Sequence, residues 1–98
     1  MTRLVFSPGA VVDIERLSEF LLADDPVSAG ETGEILSSGL NILKSHPLVG
    51  RKAEYGYREL IISRGRTGYI ALYKFDAMAD TVIVMAIRHQ RETPPTSG

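Results

Sequence analysis

The sequence predicts an α+β domain in which a helical hairpin packs on one face of a mainly antiparallel sheet, in the order β-α-α-β-β-β. Two observations predict this fold. Two segments of the first half carry apolar residues at helical spacing, and three segments of the second half are rich in β-branched and aromatic residues. Because the helices and the sheet each have an apolar face to bury, we expect them to cover each other.

The chain begins with a strand and a helix. The segment Arg3–Phe6 (RLVF) is short and β-prone, and it stops at Ser7 and Pro8. Serine suits the N-cap of a helix and proline suits its first turn, and apolar residues then recur at i, i+3 and i+7 from Ile14. A helix is therefore expected over residues 8–22. Its polar residues are expected to face water: Asp13, Glu15, Arg16 and Glu19.

A second helix is expected to begin with Asp25 as N-cap and Pro26 in the first turn, and to end near Ser45, before Pro47. Its apolar stripe is Ala29, Leu36, Leu40 and Leu43, with Ile35 and Ile42 beside it. Each internal glycine costs the helix about 1 kcal/mol relative to alanine. They are expected to allow close packing on the first helix: Gly30, Gly33 and Gly39.

The second half predicts a three-stranded meander. Its strands are Tyr57–Ser63, Tyr69–Phe75 and Thr81–Arg88. The connectors RGRTG (64–68) and DAMAD (76–80) are short and turn-like, so consecutive strands should pair as hairpins.

Length and composition bound the function. The 98 residues are expected to form one domain, residues 1–98, with 92–98 as a flexible tail. The absence of cysteine excludes a disulfide framework and any thiolate site. Neither a secretory signal nor a long apolar span is evident, so we expect a soluble, cytoplasmic protein.

The net charge of −1 conceals an asymmetry. Residues 1–43 hold two basic and seven acidic residues, a net charge of −5, whereas residues 44–98 hold nine basic and five acidic residues, a net charge of +4. A basic half can attract phosphate or an acidic partner. The alternative is that the chain has two differently charged surfaces and no partner for either.

Four segments behind the two helices carry a family resemblance: His46–Arg51 (HPLVGR), Tyr57–Ile62 (YRELII), Tyr69–Phe75 (YIALYKF) and Val82–Glu92 (VIVMAIRHQRE). In this order, and over residues 3–92, they resemble the RelE/ParE superfamily of bacterial toxins, more specifically its ParE-like or plasmid-stabilisation branch. The resemblance implies a toxin that is neutralised by a co-expressed antitoxin. ParE-like members inhibit DNA gyrase, and RelE-like members are ribosome-dependent endoribonucleases.

The resemblance also implies local roles for two segments. The family's turn after the second helix matches Pro47–Arg51, in which Gly50 is expected to provide a positive φ. The family's R-E-L strand start matches Arg58–Leu60, whose leucine is expected in the core. Arg58 is open to two interpretations, because an arginine on a sheet can bind phosphate or form an ion pair with a neighbouring glutamate.

Cleavage of RNA without metal requires a general base, a general acid and cations around the phosphate. The chain has two histidines: His46 lies at a helix end, where it suits the helix dipole, and His89 lies beyond a strand end. RelE-like nucleases carry a tyrosine near the C-terminus and a catalytic arginine. Here Gln90 and Arg91 occupy that region, and no aromatic residue follows His89. We therefore expect no ribonuclease activity and assign no catalytic residue.

These observations favour a toxin that acts by binding its target, DNA gyrase by resemblance. The expected partner is a ParD-like antitoxin of the ribbon-helix-helix kind, which forms a hetero-oligomer with the chain and alone contacts DNA. Two alternatives stay open: a RelE-like mRNA endoribonuclease and a degenerate, non-toxic interaction module. No cofactor or metal is expected, since nucleotide-loop and HExxH motifs are absent.

The residues assigned to target binding are Arg51, Arg58, Arg64, Arg66, Arg88, His89 and Arg91. Two of them, Arg64 and Arg66, lie in the first turn of the meander, which we place at the opposite end of the sheet from Arg88. On that prediction the basic residues do not form a single patch.

Overall fold

The computed structural model describes residues 2–24, 26–64 and 67–89, and it confirms the predicted α+β class. Two helices pack on one face of a five-stranded, mostly antiparallel sheet. The elements are β1 (Arg3–Phe6), α1 (Pro8–Asp24), α2 (Pro26–Asn41), β2 (Arg51–Lys52), β3 (Arg58–Arg64), β4 (Thr67–Asp76) and β5 (Thr81–His89).

The strand order across the sheet is β1-β5-β4-β3-β2. The strands β3, β4 and β5 form the predicted meander, with the register Leu60↔Ala71 and Ala71↔Ile87 through its middle. The first strand lies beside the last, and the two run parallel, with Leu4 opposite Val82. The chain between these two parallel neighbours contains both helices and the other three strands, far more than the dozen residues that a parallel connection requires.

The strands β3, β4 and β5 differ from their predicted bounds by one or two residues, and three other differences occur. The helix α1 extends to Asp24, two residues beyond its predicted end, and α2 ends at Asn41, where the chain continues as a 3₁₀ turn, Ile42–Lys44. A two-residue strand, Arg51–Lys52, pairs with the start of β3 and was not predicted. A segment this short has no hydrophobic period that a sequence could display.

The core lies between the helices and the middle of the sheet. The predicted stripe of α2 is buried at Leu36, Leu40 and Leu43, and Leu17 of α1 faces it. Ile42 is 43% exposed, because the change to a 3₁₀ turn rotates it away from the core. The surroundings of Ala29 lie outside the described side chains. The sheet buries Ile62, Tyr69, Ala71, Tyr73, Val82, Val84 and Ile87.

The two glycines of α2 whose surroundings are described, Gly33 and Gly39, do not serve the predicted contact with α1. A Cβ at Gly39 would lie 2.7 Å from Cγ2 of Ile62, so the missing side chain lets α2 approach β3. A Cβ at Gly33 would meet nothing within 4 Å, and the surroundings of Gly30 lie outside those described. The prediction was therefore wrong about the partner at Gly39, which is the sheet.

The predicted positive φ at Gly50 was also wrong. Positive φ angles occur in the described residues at Tyr55 (60°), Gly56 (80°) and Asp80 (49°). Gly50 is required for space instead, because a Cβ there would lie 2.7 Å from the hydroxyl oxygen of Tyr73. Its buried backbone amide donates a hydrogen bond to that hydroxyl at 2.8 Å.

Candidate target-binding surface

The register of the meander corrects the predicted position of its first turn. Arg88 lies opposite Ile70 and His89 opposite Tyr69, while Arg64 lies opposite Thr67 at the turn between β3 and β4. The third strand of a meander ends beside the first turn, so this turn lies at the same end of the sheet as Arg88. The prediction of opposite ends was wrong.

Of the seven residues assigned to target binding, the structure brings the backbones of Arg64, Arg88 and His89 to one end of the sheet, here called the basic end. The side chain of Arg64 lies outside those described, as do Arg66 and Arg91 altogether.

At the basic end, β5 extends beyond the end of its neighbour β1. The four residues of β1 pair with β5 only as far as Val84. A bulge follows, at which Tyr73 of β4 pairs with Val84 and Leu72 pairs with Ala86, so that Met85 is the extra residue. Beyond Val84, β1 no longer pairs with β5. The backbone groups on this side of β5 from Met85 onward therefore require other hydrogen-bond partners.

Ser7 provides the first of these partners. Its backbone amide donates to the carbonyl oxygen of Val84 at 2.9 Å, and its hydroxyl donates to the carbonyl oxygen of Met85 at 3.0 Å. The same hydroxyl oxygen accepts the amide of Ala10 at 3.1 Å, which confirms the predicted N-cap of α1. Ser7 therefore links the start of the helix to the bulge in β5.

Two side chains of α1 form hydrogen bonds with the backbone N–H and C=O groups of Ile87. The amide of Ile87 donates to Oδ2 of Asp13 at 2.9 Å, and Nη2 of Arg16 donates to the carbonyl oxygen of Ile87 at 3.3 Å. Asp13 and Arg16 also form a salt bridge at 3.0 Å. Both residues were predicted to face water. Arg16 is exposed as predicted and Asp13 is half-buried, and together they also replace a strand at the edge of β5.

The two residues that end β5 lie on opposite faces of the sheet. His89 is half-buried on the face covered by the helices, where its ring lies 5.2 Å from that of Tyr69 at 89°, an edge-to-face contact. Arg88 lies on the other face, because successive residues of a strand alternate. Arg88 and His89 are thus neighbours in sequence but not members of one side-chain cluster.

Arg58 and Arg51 lie toward the other end of the sheet. Arg58 donates through Nη1 to the carbonyl oxygens of Leu48 at 3.1 Å and Gly50 at 2.8 Å, and it therefore holds the loop that precedes β2. Arg51 forms a salt bridge with Glu59, with 3.1 Å between Nε and Oε1. Arg58 lies opposite Tyr73 in the register, about 10 Å along β4 from Ile70, the partner of Arg88.

Two further features bear on the chemistry. Within residues 2–24, 26–64 and 67–89, no group of three or more His, Asp or Glu side chains could hold a metal ion. Of the helices in those same ranges, none is long and apolar enough to cross a membrane.

The family model for the ParE toxin of the type II toxin-antitoxin system, parDE, matches residues 4–94. The chain belongs to this family. It is a toxin of a type II toxin–antitoxin system within the ParE/RelE superfamily, as the resemblance predicted. A curated relative, Toxin RelE3 of Caulobacter vibrioides, is 30% identical over 92 residues, which cover 94% of this chain and 98% of that protein.

Solved structures share the fold of this ParE-family toxin. A chain of the chromosomal ParDE TA system from P. aeruginosa superposes with a TM-score of 0.77 at 17% identity, covering 91% of this chain and 96% of that one. A chain of the toxin-antitoxin complex RelBE2 from Mycobacterium tuberculosis superposes with a TM-score of 0.60 at 23% identity, covering 93% of both chains. At these identities the structures support the fold.

Sequence reasoning missed Asp13, Arg16 and Tyr69, which hold the basic end in place. One signal could have revealed the first two. The predicted first strand, Arg3–Phe6, has half the length of the predicted last strand, Thr81–Arg88. If the first strand pairs with the last, part of the edge of the last strand must find other hydrogen-bond partners.

Proposed function

We propose that this toxin inhibits DNA gyrase by binding it, and that a ParD-like antitoxin neutralises it by forming a hetero-oligomer with it. The family match supports the antitoxin partner, as do the structural relatives, which are described as a ParDE system and a RelBE2 complex. The absence of cysteine suits action in the reducing cytoplasm.

The contact between His89 and Tyr69 is the observation that favours target binding over RNA cleavage. His89 packs against a fully buried tyrosine on the helix-covered face, whereas Arg88 lies on the other face. A buried tyrosine cannot stack on a nucleotide, and the imidazole of His89 and the cation of Arg88, on opposite faces of the sheet, are poorly placed to act on one phosphate. The arrangement therefore favours a rigid cationic contact surface over a nuclease site.

The proposed target surface is the basic end, defined by Arg64, Arg88 and His89, together with Arg66 and Arg91, whose positions lie outside those described. Arg51 and Arg58 form a second, more distant group, and the bonds of Arg58 to two carbonyl oxygens give it a part in loop positioning as well. Cationic residues on a rigid strand end suit an acidic partner surface and speed its association.

A supercoiling assay with purified gyrase tests the proposal. The toxin is expected to inhibit supercoiling, and an equimolar amount of the antitoxin encoded beside it is expected to restore activity. The double variant R88A/R91A should inhibit more weakly than K74A, which removes an exposed cation from the opposite end of β4. Full supercoiling in the presence of a micromolar excess of toxin would contradict the gyrase proposal while leaving the family unchanged.

The second candidate is a RelE-like ribosome-dependent mRNA endoribonuclease, favoured by the 30% identity to Toxin RelE3. A translating-ribosome assay separates the two functions. Transcript cleavage that is lost in His89→Ala would establish the nuclease, whereas growth arrest with intact transcripts supports the gyrase proposal. Expression without antitoxin and without any growth defect would indicate the third possibility, a degenerate toxin.

A further inference from the structure

The face of the sheet opposite the helices, here called the open face, carries apolar side chains beside the basic end. Ile62 and Ala71 are buried against the helices, so their neighbours in sequence, Ile61 and Ile70, lie on the open face. These two isoleucines are register partners on β3 and β4. Ile61 is 46% exposed and Ile70 is half-buried, and the helices cover neither of them, because both helices lie on the other face.

Two further residues extend this apolar area along the strands. Leu72 follows Ile70 by two positions on β4, and its register partner on β5 is Ala86. Both are half-buried. Arg88 follows Ala86 by two positions and lies opposite Ile70, so the apolar area ends at a cation on the β5 side. The five residues Ile61, Ile70, Leu72, Ala86 and Arg88 are here called the open-face patch.

The backbone beneath the open-face patch is firmly held. The strand β4 lies between β3 and β5, and its register with β3 is continuous from Arg58 to Arg64. Neighbouring strands are about 4.8 Å apart, so Ile61 and Arg88 lie about 10 Å apart across the patch. The bond from the amide of Ile87 to Asp13 fixes β5 next to Arg88. A partner therefore meets a preformed surface, which lowers the entropic cost of binding.

The charge on the open-face patch is positive. Arg88 belongs to neither of the salt bridges described above. Glu59 lies opposite Leu72 on the same face, but Arg51 neutralises it through the salt bridge at 3.1 Å. Apolar side chains beside an arginine suit a partner surface that carries a carboxylate among apolar groups.

The apolar side chains favour a protein over a nucleic acid as the occupant. Single-stranded RNA is recognised by side chains that stack on its bases or form hydrogen bonds with their edges, and duplexes are recognised largely through their phosphates. Isoleucine, leucine and alanine side chains provide none of these contacts. An apolar centre with an arginine beside it is instead typical of a protein–protein interface.

We propose that the open-face patch is the apolar centre of the surface by which this toxin binds gyrase. Apolar side chains of gyrase pack on Ile61 and Ile70, and a gyrase carboxylate pairs with Arg88. The inference rests on the gyrase target proposed above. It adds that the toxin docks through one face of its sheet, and that apolar contact contributes to affinity beside the charge of the basic end.

A substitution that adds a cation separates apolar contact from charge. If charge alone holds the complex, Ile61→Arg should strengthen inhibition of supercoiling, because the new guanidinium lies on the same face as that of Arg88. If the patch makes an apolar contact, the same substitution should weaken inhibition by about tenfold. Ile61→Ala, which changes no charge, should weaken it by about threefold or more.

Ile42→Arg is the matched control. Ile42 is 43% exposed, close to the value for Ile61, but it lies in the 3₁₀ turn after α2 rather than on the sheet. Its substitution should change inhibition by less than about twofold. Equal weakening by the two arginine variants, or wild-type inhibition by Ile61→Arg, would overturn the inference and leave the gyrase proposal intact. A wild-type toxin that leaves gyrase fully active would overturn both.

Transferred cross-saturation from gyrase to the isoleucine methyl groups of deuterated toxin tests the contact in the wild-type protein, so no variant has to fold. With DNA-free gyrase, the methyl signals of Ile61 and Ile70 should lose intensity, and those of Ile42 should keep it. Loss at Ile42 but not at Ile61 would place gyrase on another surface and overturn the inference. Loss at Ile61 only after DNA is added would assign the patch to nucleic acid, which also overturns it.

Discussion

The backbone amide of Ile87 donates a hydrogen bond to Oδ2 of Asp13 at 2.9 Å, and this bond ties the last strand to the first helix. The contact exists because β1 stops pairing with β5 at Val84, and a carboxylate from α1 replaces the missing strand. The position of Arg88 and His89, the described end of the proposed target surface, thus depends on a side chain in the first helix.

Replacement of Asp13 by alanine is expected to lower the free energy of unfolding by about 1–3 kcal/mol, because the amide of Ile87 and the guanidinium of Arg16 both lose an acceptor. Urea denaturation measures the change. Glu15→Ala removes a carboxylate from an exposed position on the same helix and should stay within about 0.5 kcal/mol of the wild type. Equal effects of the two substitutions would show that Asp13 contributes only its charge.

Two glycines of α2 should respond to alanine in opposite directions. Gly39→Ala is expected to destabilise the protein, because the new Cβ would lie 2.7 Å from Cγ2 of the buried Ile62. Gly33→Ala should stabilise it by up to about 1 kcal/mol, since the site has open space and alanine favours the helix. Thermal unfolding of both variants gives the comparison, and stabilisation by Gly39→Ala would contradict the close approach of α2 to β3.

The secondary structure was predictable because its signals are local. Ser7 was recognised as an N-cap from its place before Pro8, and the stripe of Leu36, Leu40 and Leu43 was recognised from its spacing. The contacts that position the site join residues distant in sequence, as Asp13 and Ile87 do. Local periodicity contains no information about such pairs, nor about the strand beside which β1 lies.

Register reasoning could have placed the basic end correctly. A meander brings the end of its third strand beside its first turn, and this alone puts Arg64 and Arg88 together. In contrast, no sequence pattern indicates the contact of His89 with Tyr69 or the close packing of Gly50 against Tyr73. Both depend on how closely the helices, the loop before β2 and the sheet pack together.

Tyr73→Phe should reveal the buried hydrogen bond that holds the loop before β2. The phenylalanine keeps the ring in the core but leaves the buried amide of Gly50 without its acceptor, at an expected cost of about 1–3 kcal/mol in unfolding free energy. The matched control is Tyr55→Phe, whose side chain is 88% exposed and should change stability by less than about 0.5 kcal/mol. A Tyr73→Phe protein as stable as this control would contradict the bond.

Substitutions of Arg88 and His89, the two residues that end β5, should distinguish effects on stability from effects on gyrase inhibition. His89→Ala is expected to lower the unfolding free energy by about 0.5–1.5 kcal/mol through loss of the contact with Tyr69, and His89→Phe, which keeps a ring there, should restore most of it. Arg88→Ala should keep the stability within about 0.5 kcal/mol and weaken gyrase inhibition. Urea denaturation and the supercoiling assay provide the two measurements. If His89→Phe regains stability but not inhibition, the imidazole itself contacts the target; if it regains both, His89 acts by positioning Arg88.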